Sequence, residues 1–381
     1  MRDAATTTSP EGLDGVVVAA TEVGDVRGRE GYYHYRQYSA VELAERRSFE
    51  DVWYLMVHGE LPDAAQSAAF SASVSALREL PPGLDATVEL AARHGDALAA
   101  LRTVVSDLGA RERWAPTHDI DAEQIRHQSV MLGAVVPTIL AAAHRRRAGL
   151  EPIAPRPDLG HAANYLWMLT GAVPAPEVAR AVEQYMILTI DHGFNASTFT
   201  ARVITSTGAD VAAAICGAIG ALSGPLHGGA PSRALDMLDA IGSPEHTDDW
   251  VRAAVRSGER IMGFGHRVYK TDDPRSTFLR DVARGIGGDQ VEFATQVERT
   301  VVDVLAELKP GRELYTNVEF YAGVVMNSCG IPREMFTPTF AAGRVIGWSA
   351  HILEQAASNR IIRPSAIYRG TPPPVAVPLP G

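Results

Sequence analysis

Five short segments of this chain hold residues able to move protons or bind anions. Gly263-Phe264-Gly265-His266-Arg267-Val268-Tyr269-Lys270-Thr271-Asp272-Asp273-Pro274-Arg275 combines a glycine-flanked histidine with a lysine and arginines in one loop-like stretch. It matches neither GxGxxG nor GxxxxGK(S/T), so it is not a nucleotide loop. A histidine donor among cations suits a substrate that carries a carbonyl group and carboxylates. Gly220 to Ala230 ends one helix and opens another, with His227 set between Leu226 and Gly228-Gly229. Backbone can approach a ligand closely there. A histidine near a helix N-terminus stays neutral more readily and can donate to an oxygen that gains negative charge; the plainer alternative is that His227 caps a turn.

The other three segments are less distinctive. Asp191-His192-Gly193-Phe194-Asn195-Ala196-Ser197-Thr198 marks a helix stop at glycine followed by a start, with Asn195 or Ser197 as N-cap. Such a junction aims side chains into a cleft, although a lone His192 is more often a hydrogen-bonded core histidine. Leu314 to Tyr321 sets Glu319 in an apolar, aromatic run, where desolvation would raise its pKa and make it a better base. Thr316 to Glu319 also has capping-box spacing, so Glu319 could simply start a helix. In the helix expected from Thr337 to Gln355, Phe340, Arg344, Trp348 and Ile352 recur every four residues. A guanidinium on that apolar stripe needs an anion, either an internal carboxylate or a bound one.

The elements that must position these residues are mostly helical. Val16-Val17-Val18 and the tyrosines Tyr32, Tyr33 and Tyr35 read as short strands or a hairpin, and the rest carries helical periodicity, so the fold class is all-α. Ser39 with Glu42, and Ser48 with Asp51, predict two short helix starts. Further helical blocks run roughly from Asp63 to Leu80, Val88 to Leu108, Asp121 to Arg147, Gly160 to Leu169, Pro176 to His192, Ala196 to Thr207 and Asp210 to Leu222. From about residue 227 to 315 the chain is more charged and glycine-rich. This predicts a small domain over 227–315, inserted into a discontinuous large domain over 1–226 and 316–381. Residues 370–381 are proline-rich and read as an extended tail.

Composition narrows the function further. The chain has 381 residues, 46% apolar and 21% charged, which fits an ordinary globular protein of two to three domains. With 35 basic and 45 acidic residues the net charge is −10, which argues against nucleic acid as a partner. Cys216 and Cys329 are unpaired by spacing, with no zinc pattern around them, and fit a reducing, cytoplasmic setting. Lys270 and Lys309 are the only lysines, which makes pyridoxal-phosphate and P-loop chemistry poor fits. Met1 to Gly15 does not resemble a secretory signal. Val130 to Ala143, the most apolar stretch, is too short to span a bilayer and reads as a buried core helix despite Pro137.

Taken in order, these segments resemble the citrate synthase family from about Leu13 to about Gly370. Gly31 to Arg36, Ser48-Phe49-Glu50-Asp51 and Gly59-Glu60-Leu61-Pro62 resemble the family's N-terminal segment, Gly160 to Tyr165 its central one, and Gly263 to Arg275 its signature. The resemblance implies an all-α homodimer whose small domain closes over acetyl-CoA and oxaloacetate. His227 then matches the histidine that hydrogen-bonds the thioester oxygen, His266 the one that polarises the ketone, and His192 an oxaloacetate ligand. Arg275 and Arg344 match arginines for substrate carboxylates, Arg363 the arginine given by the other subunit, and Lys270 a basic position near the CoA phosphates. It implies an acyltransferase of the tricarboxylic acid cycle that needs no metal or redox cofactor, and no membrane partner. Three positions depart from the family pattern. Glu319 stands where aspartate is usual, Ala230-Pro231-Ser232-Arg233 replaces Ala-Asn-Glu after Gly229, and Gly193 replaces glutamate. The extra methylene of Glu319 shifts its carboxylate by about 1.5 Å. Two alternatives therefore stand beside citrate synthesis: 2-methylcitrate synthesis from propionyl-CoA, and a catalytically silent paralogue that binds CoA or dicarboxylates.

Overall fold

A computed structural model describes residues 10–228, 230–266, 268–312, 314–371 and 373–377. Residues 1–9, Gly229, Arg267, Glu313, Pro372 and the last four residues of the proline-rich tail lie outside the described set, as do the side chains of Ala230 and Pro231. Part of the glycine turn after His227, one residue of the Gly263 to Arg275 segment and the end of the expected extended tail therefore lie outside the described residues.

Three short antiparallel strands, β1 (Gly24–Arg27), β2 (Tyr32–Tyr35) and β3 (Tyr38–Ser39), pair in the order β1-β2-β3. The tyrosine prediction holds, but Val16-Val17-Val18 is not a strand. Those valines have no ladder partner and are exposed, Val17 at 89%, while the pairing partner of β2 comes from Gly24–Arg27 instead. In β2 the inward tyrosines fix the sheet to the helices: the Tyr33 and Tyr35 hydroxyls donate to the carbonyls of Leu188 and Ile187 at 3.1 and 2.9 Å.

The helices are α1 (Ala40–Arg46), α2 (Phe49–His58), α3 (Ala64–Ala76), α4 (Leu84–His94), α5 (Ala97–Arg111), α6 (Ala122–Arg147), α7 (His161–Thr170), α8 (Pro176–Leu188), α9 (Ala196–Ser206), α10 (Val211–Leu222), α11 (Ala230–Ile241), α12 (Thr247–Ser257), α13 (Pro274–Ile286), α14 (Asp289–Leu308), α15 (Val318–Ser328) and α16 (Phe336–Ala357). Ser39 and Ser48 cap α1 and α2 through the amides of Glu42 and Asp51, as their spacing predicts. The block expected over Val88 to Leu108 is two helices, because the chain breaks at Gly95 and Asp96 caps α5 through the Ala99 amide. The block expected to reach His192 stops at Leu188, where Thr189 turns its hydroxyl back onto the Tyr185 carbonyl.

The centre of the molecule is α16, packed against α6, α8, α9, α10 and α2. It can lie so close because Gly343 and Gly347 face the end of α8. A Cβ on Gly347 would sit 2.0 Å from the Ile190 carbonyl oxygen, and one on Gly343 2.9 Å from that of Met186. Helix α6 runs unbroken through Pro137 and is longer than its apolar stretch; it is long and apolar enough to span a bilayer, but 83% of its apolar window is buried inside the protein. Beyond α10, α12 packs on α14, and both α11 and α13 pack on α15.

Candidate active site

One cavity of about 990 Å³ is lined by His192, His227, His266, Arg275, Glu319 and Arg344. The structure thus brings six of the eight residues singled out in the sequence to one space, from the α8–α9 junction, the loop before α11, the loop before α13, and the helices α13, α15 and α16. Lys270 and Arg363 do not line it. Lys270 is exposed, its amide bonded to the Gly28 carbonyl at 2.9 Å beside the hairpin, and Arg363 is exposed in the segment after α16.

Backbone amides and neighbouring polar groups orient the rings of His266 and His227. At His266, Nδ1 accepts hydrogen bonds from the amides of Val268 and Tyr269 at 3.0 and 2.9 Å. An amide N–H can only donate, so these two short bonds make Nδ1 the acceptor and put the ring proton on Nε2, against one longer approach by the Arg275 Nη2 donor, 3.4 Å from Nε2. At His227 the Ser197 amide lies 3.4 Å from Nε2, and the Ser197 hydroxyl oxygen 2.8 Å from it. The amide suits Nε2 as the acceptor with the His227 proton on Nδ1, while the nearer hydroxyl, which also donates to Asn195 Oδ1 at 2.8 Å, can take either role toward the ring. Burial pushes both imidazoles down to about 4, helped by Arg275 and Lys270 at His266 and by Arg344 at His227. Each is therefore a neutral donor at pH 7. Burial likewise holds His192 well below its usual range; its Nε2 is 3.0 Å from the Tyr269 hydroxyl.

Short contacts tie His266 to the carboxylate of Glu319. Phe264 and Thr316 form an antiparallel bridge, with the Gly265 amide donating to the Tyr315 carbonyl at 2.8 Å and the Asn317 amide to Gly263 at 2.9 Å. Gly263 and Gly265 both need φ near +81°, which explains the GFG spacing before His266. The cap of α15 is Asn317, not Thr316: its Oδ1 accepts from the Glu319 amide at 3.1 Å, and its Nδ2 donates to the Gly265 carbonyl at 3.0 Å. Thr316 instead donates its hydroxyl to Glu298. Asp273 braces the same corner, accepting from Arg275 Nε at 3.0 Å, Arg275 Nη2 at 2.8 Å and the Val318 amide at 3.0 Å.

Glu319 itself is poised. Its carboxyl faces the cavity, and among the described residues no hydrogen bond or ion pair engages it. Burial raises its pKa to about 7, against the pull of Arg275 and Arg260 and with a push from Asp273. Arg260, which the sequence reading passed over, also lines the cavity.

Arg344 answers the question its spacing left open. It is 2% exposed, donates Nε to the Thr189 carbonyl at 2.7 Å and stacks over Phe340 at 4.5 Å; no carboxylate among the described residues lies within ion-pair distance. Burial lowers its pKa, partly offset by Asp191. Asp191 is occupied elsewhere, accepting from the Gly193 amide and from His351 Nε2, each at 3.1 Å. Arg275 differs: burial opposes its charge, but the Asp273 pair more than compensates and leaves Nη1 available. The sequence offered Ser197 only as an alternative cap of α9; Asn195 takes the cap, and the Ser197 hydroxyl instead joins His227, Asn195 and the Trp348 indole N–H.

A helical protein with two neutral histidine donors, a free carboxyl and an unpaired buried arginine around one cleft belongs to the enzymes that handle carbonyl and carboxylate substrates. The family model for the citrate synthase C-terminal domain matches residues 12–365. The chain is 38% identical to the citrate synthase of Deinococcus radiodurans, over 94% of this chain and 95% of that one. It is 40% identical to a 2-methylcitrate synthase of Mycobacterium tuberculosis, over 94% and 90%. Among solved structures, the ternary complex of carboxymethyl coenzyme A and oxaloacetate with citrate synthase from Thermoplasma acidophilum superposes with a TM-score of 0.88, at 28% identity, over 96% and 97% of the two chains. The chain belongs to the citrate synthase family, whose members are acyltransferases.

Proposed function

We propose that this chain condenses acetyl-CoA with oxaloacetate and water to give citrate and CoA. The observation that carries the reading is the meeting, in one cavity, of a carboxyl near pKa 7 that no described residue engages and two neutral histidines, one of which, His266, has its Nδ1 held by two backbone amides. Glu319 removes a proton from the thioester methyl while His227 Nδ1–H stabilises the oxygen that gains charge. The enol carbon attacks the ketone of oxaloacetate, whose oxygen takes a hydrogen bond from His266 Nε2–H. Arg344 and Arg275 bind the dicarboxylate, with His192 beside them, and water then hydrolyses the citryl thioester. Base, donors and cations are all side chains, so the reading needs no metal or redox cofactor.

The rest of the reading follows from the family. Residues 227–315 act as a small domain closing over the large domain of 1–226 and 316–381, which excludes water while the enol forms. The protein works as a homodimer in the cytoplasm, within the tricarboxylic acid cycle. Arg363 of the partner subunit completes each site, and Lys270 lies toward the CoA phosphates.

Release of CoA thiol from acetyl-CoA and from propionyl-CoA with oxaloacetate, with the product identified by mass, tests this reading. The expected result is turnover with a higher kcat/KM for acetyl-CoA. A preference for propionyl-CoA would make it a 2-methylcitrate synthase; the difference at stake is one methylene, about 1–3 kcal/mol. Oxaloacetate binding without thiol release from either would favour the silent paralogue.

A further inference from the structure

Tyr185 on α8 is 0% exposed, yet its hydroxyl has no hydrogen-bond partner among the described residues. An orphaned buried hydroxyl is costly, so it calls for an explanation. The residue lines the active-site cavity, and the charges acting on it are, in order, those of Arg344, Glu319 and Arg275. Its place is set by the helix. Thr189, one turn further on, bonds its hydroxyl back to the Tyr185 carbonyl at 2.9 Å, and its own carbonyl receives the Nε of Arg344 at 2.7 Å. Phenol and guanidinium therefore share one wall of the cavity.

We propose that the Tyr185 hydroxyl is a substrate-binding donor, which completes the Arg344 site by hydrogen-bonding the oxaloacetate carboxylate held there. Burial keeps the phenol protonated, so it can donate to an anion at every working pH. Glu319 is not its partner: both line the cavity, and no bond joins them. An arginine that offers its remaining N–H groups to a carboxylate leaves lone pairs on that carboxylate unfilled, and a neutral donor beside it fills one without adding a second charge to desolvate.

This inference rests on the proposed function, and Tyr185→Phe tests it separately. The substitution keeps the ring and removes a hydroxyl that bonds nothing in the unliganded protein, so the free variant should melt at or above the wild-type temperature. The KM for oxaloacetate should rise about 10- to 100-fold, as expected for loss of a bond to a charged group, while kcat and the KM for acetyl-CoA stay within about twofold. The rise in Tm that oxaloacetate gives the wild-type protein should shrink in parallel. A wild-type protein stabilised by oxaloacetate together with an unchanged KM in the variant would overturn the inference and leave the proposed function standing. A wild-type protein that oxaloacetate does not stabilise would overturn both. A fall in kcat at unchanged KM would also overturn it, by moving the hydroxyl to the chemical step.

Discussion

Glu319 concentrates the chemistry at the scale of single residues. Its ionised form is the reactive one, so with its pKa raised to about 7 the kcat/KM should rise about tenfold per pH unit below 7 and level off above it. The histidines, near 4, add no limb in that range. Glu319→Gln should abolish thiol release and leave oxaloacetate binding nearly intact; unchanged turnover would remove Glu319 from the mechanism. The same substitution has a stability signature. A carboxyl with a folded pKa near 7 and an ordinary unfolded one contributes stability at low pH and loses it as pH climbs from about 4.5 to 7, because the folded state holds the extra proton. Above pH 8 the glutamine variant should therefore be more stable than wild type by about 2 kcal/mol, less than the full shift implies because the group borders an open cavity, and the gain should vanish near pH 4.5. Urea titrations at the two pH values check it.

At the scale of elements, the site depends on how closely α16 lies against the end of α8. The stripe of Phe340, Arg344 and Trp348 was legible in the sequence from its spacing. The reason it lands on the cavity was not, because that reason is Gly343 and Gly347, and a glycine's need for close approach depends on a partner backbone that no local pattern reveals. The tyrosine strand, the serine caps and the Asp121 to Arg147 helix were readable for the opposite reason, since each is set by neighbours within a few residues. Where the nearest signal misled, another residue competed: Thr316 has the capping spacing, but Glu298 takes its hydroxyl and Asn317 takes the cap. Gly347→Ala would press a methyl against the Ile190 carbonyl, 2.0 Å from the ideal Cβ position. The expected cost is about 1–3 kcal/mol by urea unfolding, with a weakened affinity for oxaloacetate as Arg344 and His192 are pushed apart. Alanine accepted at no cost in either would mean that α16 has slack in this contact.

At the scale of the whole molecule, the cavity within one chain holds two of the three arginines expected for a dicarboxylate, and Arg363 lies exposed outside it. If each site borrows Arg363 from the partner subunit, activity belongs to pairs of chains, and two different inactive chains should repair each other. Arg363→Leu and Glu319→Gln are each expected to be inactive alone. In a mixed dimer, the site built on the Glu319→Gln chain also receives the leucine and carries both defects. The site built on the Arg363→Leu chain keeps its own Glu319 and receives an intact arginine, so it is whole. Random reassortment of equal amounts makes half the dimers mixed, each with one whole site, and should recover about a quarter of wild-type thiol release. Reassortment proven by native mass spectrometry but with no recovered activity would place Arg363 in its own chain's site or outside catalysis altogether.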